Sequence, residues 1–155
     1  MVSMRFMMFM IPPEYQPDAP PEKKAKTNFA PPADAVAAMM KYNEELAKAG
    51  ALISLDGLHP LLKGARVTFK KGQTSVTDGP FVEAKEVVGG YWMIDVKSKE
   101  EAVEWAKRCP AVNVDSGAVI EVRQVFEVSE FPPDVRKAAE NPVVSKQLAK
   151  HKKSR

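Results

Sequence analysis

Cysteine occurs once in the 155 residues, at Cys109. A single thiol excludes an intrachain disulfide framework and a zinc site built on several thiolates, and it fits a reducing compartment. Histidine occurs twice, at His59 and His151, with no metal-ligand spacing and no Ser, His and acid order around either. No Gly-rich phosphate loop is present, because the one glycine pair, Gly89 and Gly90, leads into an apolar run. Such a pair suggests a bulge or a close backbone approach, so nothing demands a nucleotide or any other cofactor. Long apolar runs are missing too: no stretch approaches the roughly 20 residues that span a bilayer. The run from Phe6 to Ile11 is short for a secretory h-region and meets Pro12 and Pro13 without a small-residue cleavage site. A cytoplasmic protein without a membrane segment is expected.

What is present is ordinary for one soluble domain: 45% hydrophobic and 28% charged residues. Ten of the 13 prolines gather in Pro12 to Pro32 and at Pro132, Pro133 and Pro142, outside the periodic apolar segments, and so mark loops and edges. The net charge of +3 is unevenly spread. Residues 131–155 hold seven Lys or Arg against two Asp or Glu, net +5, leaving residues 1–130 with sixteen against eighteen, net −2. The expected organisation is therefore a domain over 1–130 and a basic tail over 131–155. That tail has the charge for nucleic acid but no aromatic residue after Phe131 to stack on a base, so a solvated, frayed end is the favoured reading.

Hydrophobic periodicity orders the rest. Arg5 to Ile11 is apolar almost throughout and suits a strand covered on both sides. A Pro- and Lys-rich loop to Pro32 follows, long enough for a lid or a mobile connection. Asp34 to Ala49 is a helix with Val36, Met39, Met40, Asn43, Leu46 and Ala47 on one stripe and Gly50 as its stop. "ALISLDGL" and "ARVTF" read as strands, and "ARVTFKKG" closes a hairpin with "TSVTDG" over Lys71 and Gly72. "GGYWMIDV" is a further strand, "SKEEAVEWAKRCP" a short helix with a capping box from Ser98 and Glu101, and Ala118 to Val128 an alternating last strand.

This order, β, α, β with an inserted hairpin, β, α, β, is that of an α+β, ferredoxin-like βαββαβ sandwich with both helices on one face of an antiparallel sheet. Two helices cover one face only. The other would leave half of the first strand and half of Val87 to Val96 wet, so a homodimer joined sheet to sheet is expected.

Candidate chemistry is sparse. His59 has Asp56 three residues before it, a spacing that permits a general-base pair if the loop folds back, although a turn histidine bonded to a carbonyl is the plainer reading. Asp78 in "TDGP" reads first as the organiser of an Asx-type turn and second as a base beside Lys85. Lys85 itself fits an ion-pair cluster with Glu83 and Glu86. Asn43 is a polar residue on an apolar stripe and must find partners, which a loop after the first strand would supply. Arg123, between Glu121 and Glu127, either lines a cleft or pairs across a dimer interface. The Met and aromatic runs Met7 to Met10 and Tyr91 to Met93 read as core rather than as ligand contacts.

"TDGPFVEAKEVVGGYWMIDV", with "YNEELAKAG" and "GLHPLLKGARVTF" before it and "EEAVEWAKRCP" and "IEVRQVF" after, resembles the YCII-related proteins of the DGPF type from about Met4 to Val128. The resemblance implies a dimeric α/β barrel. It also implies kinship with muconolactone isomerase-like barrels, among which enzymes with a His and Asp pair, the His on the first helix, move protons or eliminate groups on small ring compounds. The first helix here has no histidine, which passes any acid/base role to His59, Asp78 or Glu86 and leaves Asp56, Asn43, Lys85 and Arg123 as ligand-binding candidates. A cofactor-free lyase or isomerase is the activity implied. The frequent link of DGPF-type members with sigma-factor-associated genes implies the alternative, a non-catalytic dimeric small-molecule-binding or regulatory protein.

Overall fold

A computed structural model of the chain describes residues 2–16, 19, 31–79, 86–110 and 117–153. The Pro-rich loop after Tyr15 lies mostly outside the described residues, as do Glu83 and Lys85. Two compact units are present, 1–125 and 126–155.

The first unit is the expected ferredoxin-like α+β fold. Its strands are β1 (Met4–Ile11), β2 (Leu52–Gly57), β3 (Ala65–Lys70), β4 (Gln73–Asp78), β5 (Gly90–Val96) and β6 (Val119–Gln124), with helices α1 (Ala33–Lys48) and α2 (Lys99–Lys107). Four strands form an antiparallel sheet in the order β2-β5-β1-β6, and β3 and β4 form a separate hairpin. The two most apolar strands, β1 and β5, occupy the centre, where neighbours on both sides satisfy their backbone groups.

Alternation on the central strands selects the core. Phe6 and Met8 of β1 and Trp92, Ile94 and Val96 of β5 are buried together with Tyr42 and Leu46 of α1 and Ala102 and Trp105 of α2. Each such large side chain contributes about 1.5–3 kcal/mol by leaving water. The buried stripe of α1 is rotated from the expected one: Tyr42, Asn43 and Leu46 are buried, while Val36 and Met40 are 43% and 57% exposed. Tyr42 wins the inward position because its ring meets Trp92 edge-on at 5.8 Å and its hydroxyl donates to the Trp105 carbonyl at 2.9 Å. On the opposite face Met7, Phe9, Tyr91 and Met93 are only partly buried.

Local signals close the elements. Gly50, at φ 70°, ends α1 in a Schellman motif, its amide donating to the Ala47 carbonyl and that of Ala51 to Leu46, both at 3.0 Å. Ser98 Oγ accepts the Glu101 amide at 3.1 Å and caps α2, but the Glu101 carboxylate reaches past the cap to the amide of Lys97 at 2.8 Å. Lys71 and Gly72, at φ 50° and 74°, supply the left-handed pair that a I′ hairpin turn requires.

Two expectations fail here. The last strand ends at Gln124 rather than Val128, since Val128–Glu130 forms a 3-10 turn closed by reciprocal bonds between Glu127 and Glu130. The tail is not frayed: the second unit contains helices α3 (Pro133–Ala139) and α4 (Pro142–Lys153). Asn141 Oδ1 accepts the amides of Val143 and Val144 at 3.1 and 3.2 Å, and Pro142 fits the first turn, where no amide is needed. None of the described residues of this unit is buried. Among the described residues no helix is long and apolar enough to cross a membrane.

Candidate functional site

At one end of the four-stranded sheet three backbone segments crowd together. The Gly89 amide donates to the Met10 carbonyl at 2.7 Å, and the Gly89 carbonyl accepts the Leu58 amide at 2.9 Å. A Cβ on Gly89 would lie 2.7 Å from the Pro12 ring, and one on Gly90 would lie 3.1 Å from the Asp56 carbonyl oxygen. The close approach read from the glycine pair is therefore real, and only glycine permits it. Gln16 fastens the same region: its Nε2 donates to the carbonyls of Pro12 and Val87, and its Oε1 accepts the Val87 amide at 3.1 Å.

Beside this crossing, at the end of the sheet, lies a cavity of about 440 Å³ lined by residues of α1, of both faces of β2 and β5, and of the segment after β2. That volume lies within the usual range for small-molecule sites, about 300–1,000 Å³. Met10, Met39, Leu55 and Trp92 give it apolar walls, and its polar lining is Tyr15, Asn43, Asp56, His59 and Tyr91.

Two hydrogen bonds fix this polar lining. Tyr91 Oη donates to Asp56 Oδ2 at 2.6 Å, a pair made by the register that sets Asp56 opposite Tyr91. Trp92 Nε1 donates to Asn43 Oδ1 at 2.8 Å, which orients the amide and leaves Nδ2 as its donor; the contact of Nδ2 with Met40 Sδ, at 3.7 Å, is weak. Asn43 thus ties α1 to the central strand and not to the loop after β1. Tyr15 Oη donates to the Leu58 carbonyl at 3.2 Å, and burial, with the charge of Glu14 adding to it, raises the Tyr15 pKa and keeps the phenol protonated.

These contacts belong to a fold with relatives. Residues 4–129 match the YCII-related domain. The chain belongs to the YCII-related family. It is also similar to an uncharacterized protein of Rhizobium meliloti (strain 1021), 35% identical over 101 residues that make up 64% of this chain and 77% of that protein.

Within the YCII-related domain, the candidates read from sequence divide by position. Asn43, Asp56 and His59 line the cavity. Asp78 is exposed at the far end of β4, Glu86 is exposed ahead of β5, and Arg123 lies on the open sheet face opposite Met7, 3.8 Å from Glu121; none of these three lines the cavity. Lys85 lies outside the described residues. The Asx-type turn expected at Asp78 runs into residues outside the described ones; among those described, the Gly79 amide donates to the Gly64 carbonyl at 2.9 Å and extends the hairpin ladder by one bond. Tyr15, Gln16 and the places of Tyr91 and Trp92 in the cavity lining were not read from sequence, where Tyr91 to Met93 looked like core alone. Among the described residues no group of three or more His, Cys, Asp or Glu side chains is placed to hold a metal ion.

Proposed function

We propose that this YCII-related protein is a cofactor-free lyase or isomerase acting on a small ring compound bound in the 440 Å³ cavity. The supporting observation is the gathering of a carboxylate, an imidazole and an oriented amide in an otherwise apolar cavity. Asp56, held by the Tyr91 hydroxyl, takes a proton from a carbon next to the ligand's carbonyl. Asn43 Nδ2 donates to that carbonyl oxygen as negative charge develops on it. His59 gives a ring proton of its own to a second carbon, giving an isomer, or to a departing group, giving elimination, and afterwards Asp56 loses its proton to solvent and His59 regains one. Asp78 and Glu86, which do not line the cavity, have no part in this reading.

A second reading has its own support: the Tyr91 hydroxyl holds the Asp56 carboxylate at 2.6 Å, a contact that suits a fixed wall of a ligand-binding site. This favours a non-catalytic dimeric protein that binds the same class of ring compound in a regulatory role. In either case we read the sheet face that carries Met7, Phe9 and Met93, which are half-buried, as the face that pairs with a second copy.

Proton transfer separates the two readings. The chain is incubated in deuterated buffer with a panel of aromatic acids and lactones, and NMR follows both ligand binding and deuterium uptake at ligand carbon. An enzyme exchanges deuterium, and Asp56→Asn slows exchange by about 100-fold or more. Binding without exchange selects the regulatory reading, and no binding removes both.

A further inference from the structure

The β3–β4 hairpin has two unlike faces. Its ladder sets Val67 opposite Val76 and Phe69 opposite Thr74, so Val67, Phe69 and Val76 share one face, and Arg66, Thr68, Lys70, Ser75 and Thr77 share the other. Such a division belongs to strands that lie on another layer. Here the apolar face is in water, with Phe69 78%, Val76 68% and Val67 51% exposed. The hairpin's base is nevertheless fixed: the Gly79 amide is bonded to Gly64, and a Cβ on Gly79 would lie only 1.7 Å from the Leu61 carbonyl oxygen. A two-stranded hairpin alone is marginally stable in water, so a hairpin with a fixed base and a wet apolar face awaits a cover.

We infer that the hairpin is an arm that lays Val67, Phe69 and Val76 on a second copy of this chain. The inference rests on the dimer proposed above and adds a contact to it. Four strands offer about 450 Å² on the open face, or about 900 Å² across two partners. A specific interface needs about 1,000 Å² or more. Two arms of six-residue strands, each covering about 190 Å² and an equal area beneath it, bring the total to about 1,650 Å², the size of stable complexes.

Sedimentation equilibrium of the full chain tests the arm, with Phe69→Glu on its apolar face, Thr68→Glu on its polar face and Met7→Glu on the open sheet. A dimer is expected for the wild type, weakened about 100-fold or more by Phe69→Glu and unchanged by Thr68→Glu. The melting curve of the dissociated Phe69→Glu chain should match that of the wild-type monomer. Photoreactive benzoylphenylalanine in place of Phe69 should yield a covalent dimer on irradiation. If Phe69→Glu leaves dimerisation within twofold while Met7→Glu breaks it, the arm is overturned and the sheet pairing stands. If Phe69→Glu breaks the dimer and Met7→Glu does not, the arm stands and the sheet pairing falls. A wild-type monomer at micromolar concentration removes both.

Discussion

The chain contains two antiparallel sheets with the same alternation and opposite fates. In the four-stranded sheet Phe6, Met8, Trp92 and Ile94 point at two helices and are buried. In the hairpin Val67, Phe69 and Val76 are just as regularly spaced, and all are exposed. Period-2 patterning therefore encodes which residues share a face, whereas the layer that covers the face comes from elsewhere in the chain or from another molecule.

Substitution is the most direct way to break this comparison. Ile94→Ala, in a side chain with no exposed surface, should cost about 2–5 kcal/mol of unfolding free energy in urea titration. Phe69→Ala, measured at concentrations where only monomer is present, should cost no more than about 0.5 kcal/mol. An equal loss at both positions would mean that the hairpin face is covered within the single chain.

A smaller effect separates the polar part of the covered face. Asn43→Ala leaves the buried Trp92 indole N–H without its acceptor and should cost about 1–3 kcal/mol, with a change in near-ultraviolet circular dichroism from Trp92. The same variant should weaken ligand binding if Nδ2 is the donor proposed above.

The smallest expected effect is alkaline. Burial pushes the Cys109 thiol up to about 11 from an ordinary value of 9.0, and burial raises Tyr42 in the same direction. Between these values the unfolded chain has lost the thiol proton and the folded chain keeps it. Stability then falls as pH rises from about 9 to about 11 and is undiminished below 9. Cys109→Ser should flatten that part of the urea-midpoint profile, and an unchanged slope would assign it to Tyr42 alone.

The fold was legible because its signals are local and agree with one another. Gly50, Ser98 and the Lys71–Gly72 turn mark ends that the structure keeps, and the order of elements dictates the sheet. Tyr42 shows the limit: a helix stripe can rotate by one residue when an aromatic ring with a polar tip finds both a ring and a carbonyl to meet. The cavity was half legible. Asn43, Asp56 and His59 stood out as polar residues in apolar or turn contexts, but Tyr91 becomes Asp56's partner only through a strand register with a bulge at Ile53. Tyr15 reaches the site through the chain's return at Pro12–Pro13, which no periodicity records. Asp78 was attractive for its neighbours in sequence, and the structure places it exposed at the end of β4, outside the cavity lining.

Gly89 has a consequence for how such a cavity can change. Any side chain there collides with Pro12, its amide is bonded to Met10 of β1, and its carbonyl is bonded to the Leu58 amide. This wall of the site is thus set by main chain and is closed to gradual remodelling. The wall from Leu58 to Pro60 consists of side chains on a short connection outside the sheet ladder, and there residues can be exchanged one at a time. New ligand preferences within this scaffold should therefore arise around His59, while the glycine crossing stays as it is.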